Sequence, residues 1–221
     1  MFNNIAPKYD FLNQLLSLGI HKGWRRKSIH LLQARQPKQI LDIPTGTGDF
    51  AIQAMKLNPD KVVGVDISEG MLKLGIEKVN KLGLSAKIEL KLGDSESLPF
   101  SDNSFDAITV GFGVRNFENL DKGISDIYRV LNANGTLVVL EFSKPRKFPV
   151  KQLYKFYSRF ITPTIGKLFS KDSSAYSYLP ESVNAFPDGE DFLNVLKKAG
   201  FTSTAAKPVT FGIATIYFAK K

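Results

Sequence analysis

Strand and helix alternate through the first two thirds of this chain, and that order limits its fold more tightly than anything else in the sequence. Apolar runs at 40–43, 62–65, 86–92, 105–112 and 136–142 read as strands. Between them, 49–57 reads as a helix. Ser68 caps a second helix carrying Met71, Leu72, Gly75, Ile76 and Val79, and Leu120, Ile124, Ile127, Tyr128 and Leu131 mark a third. Consecutive strands joined by helices demand a parallel sheet covered on both faces, an α/β fold. The end of the chain departs from this order. Phe192, Leu193, Leu196 and Ala199 form a helix stopped by Gly200, and strands at 205–209 and 213–219 are joined through Gly212. So short a link cannot cross over, so the last strand should run antiparallel at or near the sheet edge.

The first strand runs into Pro44-Thr45-Gly46-Thr47-Gly48, and a helix begins near Asp49. Gly46 and Gly48 leave backbone room for a nucleoside ligand, and the amides opening the helix offer donors to its polar atoms. Gly46-x-Gly48-x-x-Ala51 also satisfies the dinucleotide fingerprint, and tight turns use glycine with no ligand at all. Asp66 ends the second strand about twenty residues later, placed to accept hydrogen bonds from a ribose diol. Asp42 ends the first strand, and it argues against a dinucleotide: a carboxylate there suits a ligand carrying a sulfonium and an ammonium better than a pyrophosphate. Asp-x-x-x-Gly-x-Gly resembles the first motif of S-adenosylmethionine-dependent methyltransferases.

The 221 residues fit a single domain, 1–221, and suffice for a full core. With no cysteine, disulfides, cysteine nucleophiles and thiolate metal sites are excluded. The start, Met1-Phe2-Asn3-Asn4, is no signal peptide, and no run approaches the roughly 18 apolar residues of a spanning helix, so a soluble, cytoplasmic protein is expected. The formal charge of +9 suggests an anionic partner, nucleic acid or membrane. Residues 1–39 read as two helices with Gly19 and Gly23 between them, apolar at Phe11, Leu12, Leu15 and Leu16 and then at Ile29, Leu31 and Leu32. They are able to fold back as a lid. An insertion at 143–189 is too long for a plain loop. Its first part holds Lys144, Arg146, Lys147, Lys151, Lys155, Arg159, Lys167 and Lys171 and no acidic residue before Asp172. Lys151, Lys155 and Arg159 share one helix face, with Leu153, Tyr157 and Phe160 on another. That is either a solvated basic face or an interfacial helix resting on anionic headgroups, peripheral to a membrane.

Over essentially its whole length the chain resembles the UbiE/MenG family of quinone-biosynthesis C-methyltransferases. The likeness rests on Phe2-Asn3-Asn4-Ile5-Ala6-Pro7-Lys8-Tyr9-Asp10, Leu16-Ser17-Leu18-Gly19-Ile20 with Trp24-Arg25, and Gly46-Thr47-Gly48-Asp49. It extends through Phe112-Gly113-Val114-Arg115-Asn116, Leu140-Glu141-Phe142-Ser143-Lys144-Pro145 and Tyr176-Ser177-Tyr178-Leu179-Pro180-Glu181-Ser182-Val183. The glycine turn is common to the fold; the Gly-Val-Arg-Asn and Tyr-Leu-Pro-Glu-Ser stretches are far more specific. The chain begins almost on the first motif, which leaves room for a short leader ahead of it.

The resemblance implies a class I, Rossmann-like methyltransferase sheet of seven strands with the last antiparallel, and methyl transfer from S-adenosylmethionine to a ring carbon of a polyprenylated quinol. That quinol is typically demethylmenaquinol, in some members the ubiquinol precursor. It places cofactor contacts at Thr47, Asp66, Asp94, Ser95 and Gly111, joining Asp42, Gly46 and Gly48. Asp94 is suited to the adenine amino group, and Gly111 to a ligand lying against backbone. Pro44-Thr45 stand where small residues are usual, and Gly111 where serine often sits. A quinol losing its phenolic proton attacks the methyl in line, so alignment supplies much of the rate. No base declares itself in His21 or His30. Arg115 and Asn116, past the fourth strand, are placed to orient the quinol oxygens or a water, and Tyr9, Tyr176 and Tyr178 to wall the site. Two rivals stay open: an RNA methyltransferase on the same fold, and a catalytically silent membrane-surface or nucleoside-binding module. The positive charge is concentrated in one insertion instead of ringing the cofactor mouth, which argues against a nucleic-acid partner. An oligomer is compatible with the sequence.

Overall fold

The computed structural model describes Gln14, Ser17, 19–156 and 174–221, the side chains at 155 and 174–177 excepted. The first N-terminal helix, Tyr9, Tyr157, Arg159 and Phe160 lie outside the described residues, as do the side chains of Lys155 and Tyr176.

Among the described residues the helices are α1 (Ile20–His30), α2 (Asp49–Ala54), α3 (Glu69–Lys81), α4 (Leu120–Val130), α5 (Val150–Phe156), α6 (Ser174–Ala185) and α7 (Glu190–Lys198). The strands are β1 (Gln39–Asp42), β2 (Lys61–Asp66), β3 (Ile88–Leu92), β4 (Phe105–Gly111), β5 (Leu131–Phe142), β6 (Thr202–Val209) and β7 (Ala214–Lys220). Among the described residues, seven strands form one sheet in the order β3-β2-β1-β4-β5-β7-β6. β1 to β5 pair in parallel, and β7 pairs antiparallel with both β5 and β6. The reversed last strand is as expected, but it inserts between β5 and β6, which leaves β6 at the edge.

Alternation along the strands divides the core in two. Leu41, Val63, Ile108 and Leu137 pack on one face with Ile124 and Ile127 of α4 and Phe192 and Leu196 of α7. Ile40, Val62, Ala107 and Val138 pack on the other with Trp24 and Ile29 of α1, Phe50 and Ala54 of α2 and Val79 of α3.

Several boundaries differ from expectation. Gly23 lies inside α1; the break falls at Gly19, whose φ of 76° suits glycine. α2 stops at Ala54 and tightens into a 3₁₀ turn at Met55–Leu57. β5 takes in Leu131, which pairs with Phe105; the ladder then skips to Ala107 opposite Thr136, with Asn132–Gly135 bulged between. Ser68 caps α3 as read, its hydroxyl accepting from the Met71 amide at 3.3 Å.

Candidate functional site

β1 and β4 are neighbours in the sheet but not in the chain, so the connections leaving their carboxyl ends part and open a crevice, the usual ligand position in such sheets. The glycine turn follows β1, Asp66 ends β2, Asp94 follows β3, Arg115 follows β4 and Phe142 ends β5. The fold thus gathers on one edge Asp42, the glycine turn, Asp66, Asp94, Ser95, Gly111, Arg115 and Asn116, but not His21 or His30 of α1.

Asp42 lies behind the turn, with no exposed surface. Its carboxylate accepts from Thr45 Oγ1 and Thr109 Oγ1, each at 2.7 Å, and from the Ala51 amide at 3.2 Å. Burial outweighs these donors and pushes its pKa up to about 6. Its oxygens are engaged by the protein, so the direct ligand contact expected of Asp42 is not what the geometry offers: it ties the turn, β4 and α2 together. Thr45, next to the cis Ile43–Pro44 bond, is one of those donors.

Asp66 differs. One oxygen accepts the Gly46 amide at 2.7 Å and the other the Ser68 amide at 2.9 Å, so it braces the turn against the start of α3. Its residue is 7% exposed, and burial raises its carboxyl above the usual range. A carboxylate has further lone pairs, so these two bonds leave acceptor capacity for a ligand. Gly46, at φ 56°, has nothing within 4 Å of where a Cβ would stand, so the space over the turn is open. Gly48, at φ 76°, opens α2.

The rest of the turn is built by residues that carried no functional weight in the sequence. A Cβ on Gly64 would stand 2.6 Å from Thr45 Oγ1, and one on Gly75 would stand 3.1 Å from the Thr47 carbonyl carbon. Both glycines let β2 and α3 close on the turn. Thr47, 3% exposed, accepts from Lys78 Nζ at 3.1 Å, and Lys78 also bonds Asp49 at 2.7 Å. Arg25 of α1 pairs with the same Asp49. Burial acts to raise the Asp49 carboxyl, but Arg25 and Lys78 together hold it below its ordinary value.

Asp94 is exposed, with one oxygen accepting the Glu96 amide at 2.8 Å, while Ser95 is buried. Ile67, unremarked in the sequence, follows Asp66 and is 67% exposed, an apolar surface next to that carboxylate in the chain. Gly111 does not leave its space to a ligand. A Cβ there would stand 2.5 Å from Phe50 Cδ2, so the ring of α2 occupies that volume.

Arg115 sits in a 3₁₀ turn, Val114–Asn116, after β4. An open guanidinium at the mouth is not found: its side chain is 8% exposed, and Nη1 donates to Glu141 Oε1 at 2.7 Å and to the Phe112 carbonyl. Glu141 has no exposed surface; burial raises its carboxyl despite the guanidinium. Its motif was legible, its pairing was not. Asn116 accepts at Oδ1 from the Tyr178 hydroxyl at 3.1 Å, which joins α6 of the insertion to the site. Phe112, at φ 56°, packs on Phe142 at a tilt of 33° with ring centroids 4.6 Å apart, and the Trp24 ring lies 6.3 Å from each. His21 is buried against Ser17, one turn before Trp24 on α1, and His30 is exposed at the end of that helix.

A sequence model of the ubiE/COQ5 methyltransferase family matches residues 1–221. Among similar curated proteins, the demethylmenaquinone methyltransferase of Bacteroides fragilis is 56% identical over 222 residues, covering 100% of this chain and 91% of that protein. The ubiquinone/menaquinone biosynthesis C-methyltransferase UbiE of Geobacter sulfurreducens is 44% identical over 223 residues, covering 100% and 87%. Among solved structures, a SAM-dependent methyltransferase from Thermotoga maritima superposes with a TM-score of 0.67 at 18% identity, covering 100% of this chain and 98% of that one. One from Aquifex aeolicus gives 0.58 at 21%, covering 83% and 81%. At these identities the structures speak for the fold.

Proposed function

The chain belongs to the ubiE/COQ5 methyltransferase family and is an S-adenosylmethionine-dependent C-methyltransferase of menaquinone or ubiquinone biosynthesis; we propose that its acceptor is demethylmenaquinol and that the edge residues divide the work as follows. The observation that carries this assignment is the open turn at Gly46, whose amide the Asp66 carboxylate accepts, on the sheet edge that also carries the exposed Ile67 and Asp94. That set fits an adenosine: Asp66 for the ribose diol, Asp94 for the adenine amino group, Ile67 for the purine face, and the amides after Gly46 for the amino-acid portion. Thr47, Gly48 and Ser95 shape this cradle, and Asp42 and Gly111 support it from behind.

S-adenosylmethionine, when bound, supplies an electrophilic methyl group. The chain's own task is to hold a quinol ring in line with it and to manage one phenolic proton. Phe112 and Phe142, half-buried and backed by the buried Trp24, form an aromatic wall at the ends of β4 and β5, suited to a flat ring. Asn116, with Tyr178 on its Oδ1, offers polar atoms to a quinol oxygen or to a water that takes the proton. Arg115 then acts as a positioning residue, since its bonds to Glu141 and the Phe112 carbonyl set the turn that presents Asn116. Within the segment 1–39, α1 packs Trp24 and Ile29 into the core and reaches the turn through Arg25 and Asp49. The bacteroidal relative's name supports demethylmenaquinol as the acceptor.

The substrate's prenyl tail resides in a bilayer, and the insertion suits contact with an anionic surface: Lys147 and Lys151 are exposed beside Phe148, 81% exposed, and Leu153, 64% exposed. Among the described residues no helix is long and apolar enough to cross a membrane.

Incubation with methyl-labelled S-adenosylmethionine, with extracted quinols or total RNA as acceptor, tests the assignment. Label is expected in the quinol fraction, with menaquinol as product. Label in RNA and none in quinol would overturn it.

A further inference from the structure

The turn joining β6 to β7 is built at odds with its sequence. Thr210, Phe211 and Gly212 have φ of 47°, 58° and 89°, a left-handed run in which only the glycine is at ease. A β-branched residue and an aromatic one persist there because the turn is held from two sides. Trp24 Nε1 of α1 donates to Thr210 Oγ1 at 2.8 Å, and Ser143 Oγ donates to the Gly212 carbonyl at 2.9 Å. The Ser143 amide also donates to the Ile213 carbonyl, at 3.0 Å. The result is a phenylalanine ring standing 81% exposed on a braced turn. Neither the function above nor the core uses it.

Its position gives it a use. Ala214 pairs with Phe142, so the turn lies on the sheet edge where β1 to β5 end and the site opens. A Cβ on Gly212 would stand 3.6 Å from Pro145 Cα, at the root of the basic insertion. Phe148 is three residues further on and therefore no more than about 11 Å from Pro145 by chain reach. Trp24, which braces the turn, also meets Phe142 in the aromatic wall. One edge of the molecule thus carries two exposed phenylalanines, one from each side of β7, together with the exposed cations Arg146, Lys147, Lys151 and Lys207.

We propose that Phe211 is a second membrane anchor: the β6–β7 turn inserts its ring among the acyl chains of an anionic bilayer while the insertion's cations meet the headgroups, so that the acceptor mouth faces the membrane. This rests on the reading that the insertion contacts a membrane. Cations distributed around the aromatics fit an anionic lipid surface and would repel one another in a contact between two copies of this edge. The two anchors divide the binding: attraction to headgroups is screened by salt, whereas ring insertion is not.

Phe211→Asn is the informative variant, because asparagine tolerates the left-handed conformation better than phenylalanine and the fold should be no weaker. The probes are sucrose-loaded vesicles of phosphatidylcholine with phosphatidylglycerol, at low and high salt. Phe211→Asn should lower the salt-resistant partitioning about tenfold, and Phe211→Leu should keep most of it. Lys147→Gln with Lys151→Gln should lower the salt-sensitive part. Turnover should fall in Phe211→Asn with quinol embedded in vesicles and stay at the wild-type level with a short-chain, water-soluble quinol. Unchanged partitioning of Phe211→Asn, with the lysine variant impaired, overturns the proposal and leaves the insertion reading standing. No wild-type partitioning at all overturns both. Loss of a dimer in Phe211→Asn, with vesicle binding intact, would assign the ring to a contact between copies instead.

Discussion

Asp42 and Asp66 end neighbouring parallel strands, and burial gives them different work. Asp66 keeps acceptor capacity toward the open turn, so Asp66→Ala should weaken S-adenosylmethionine binding by about 1–3 kcal/mol in a calorimetric titration. Unchanged affinity would remove Asp66 from the site. Asp42 shows itself in stability instead. Its folded pKa of about 6 lies above the ordinary 3.8, so between those pH values the folded state holds a proton there that the unfolded chain has released. Its contribution is therefore fullest below pH 3.8 and declines as pH rises through about 6. Asn cannot titrate. Wild-type stability measured against Asp42→Asn should fall by about 3 kcal/mol across that interval, read from urea midpoints. Parallel pH profiles would mean that the carboxyl is ionised throughout.

Close approaches between elements, more than any single side chain, hold the site's two halves together. Gly113 opens the 3₁₀ turn after β4, and a Cβ there would stand 2.0 Å from Pro44 Cδ in the turn after β1. Its φ of −120° is open to any residue, so the glycine answers to the proline ring and not to the backbone. Pro44 thus has a structural counterpart in a motif about seventy residues away. Gly113→Ala should push the two turns apart, destabilising the fold by about 1–3 kcal/mol in urea melts and weakening cofactor and acceptor binding together. Wild-type stability would show that the turns part freely. Gly111 and Phe50 form a second such pair, between β4 and α2.

Across the molecule, protection should follow the order of the sheet. β4 and β5 lie inside it, and most of their residues are buried. β3 and β6 lie at its edges, and most residues of each are at least partly exposed. Native-state hydrogen exchange should therefore release β6 and β3 amides through local opening, with β4 and β5 exchanging only near the global limit. Equal protection in β6 and β4 would indicate that something covers the β6 edge.

Period and punctuation alone determined the fold class, the parallel order and the reversed last strand, because alternating strands and helices leave one way to bury both faces of a sheet. The positions of the glycine turn and Asp66 at strand ends were legible for the same reason, since strand ends are marked in the sequence and a parallel sheet collects its carboxyl ends on one edge, whereas Asp94 was singled out by the family resemblance. The relations that tertiary packing decided all link residues distant in sequence. Arg115, read as open to the acceptor, is paired with Glu141, and Gly111, read as making room for a ligand, makes room for Phe50. Asp42 has no exposed surface, and Phe211 is lifted to 81% exposure by Trp24 and Ser143. A sequence states which groups exist; whether a charge meets solvent, a ligand or another charge depends on which strands the sheet sets side by side.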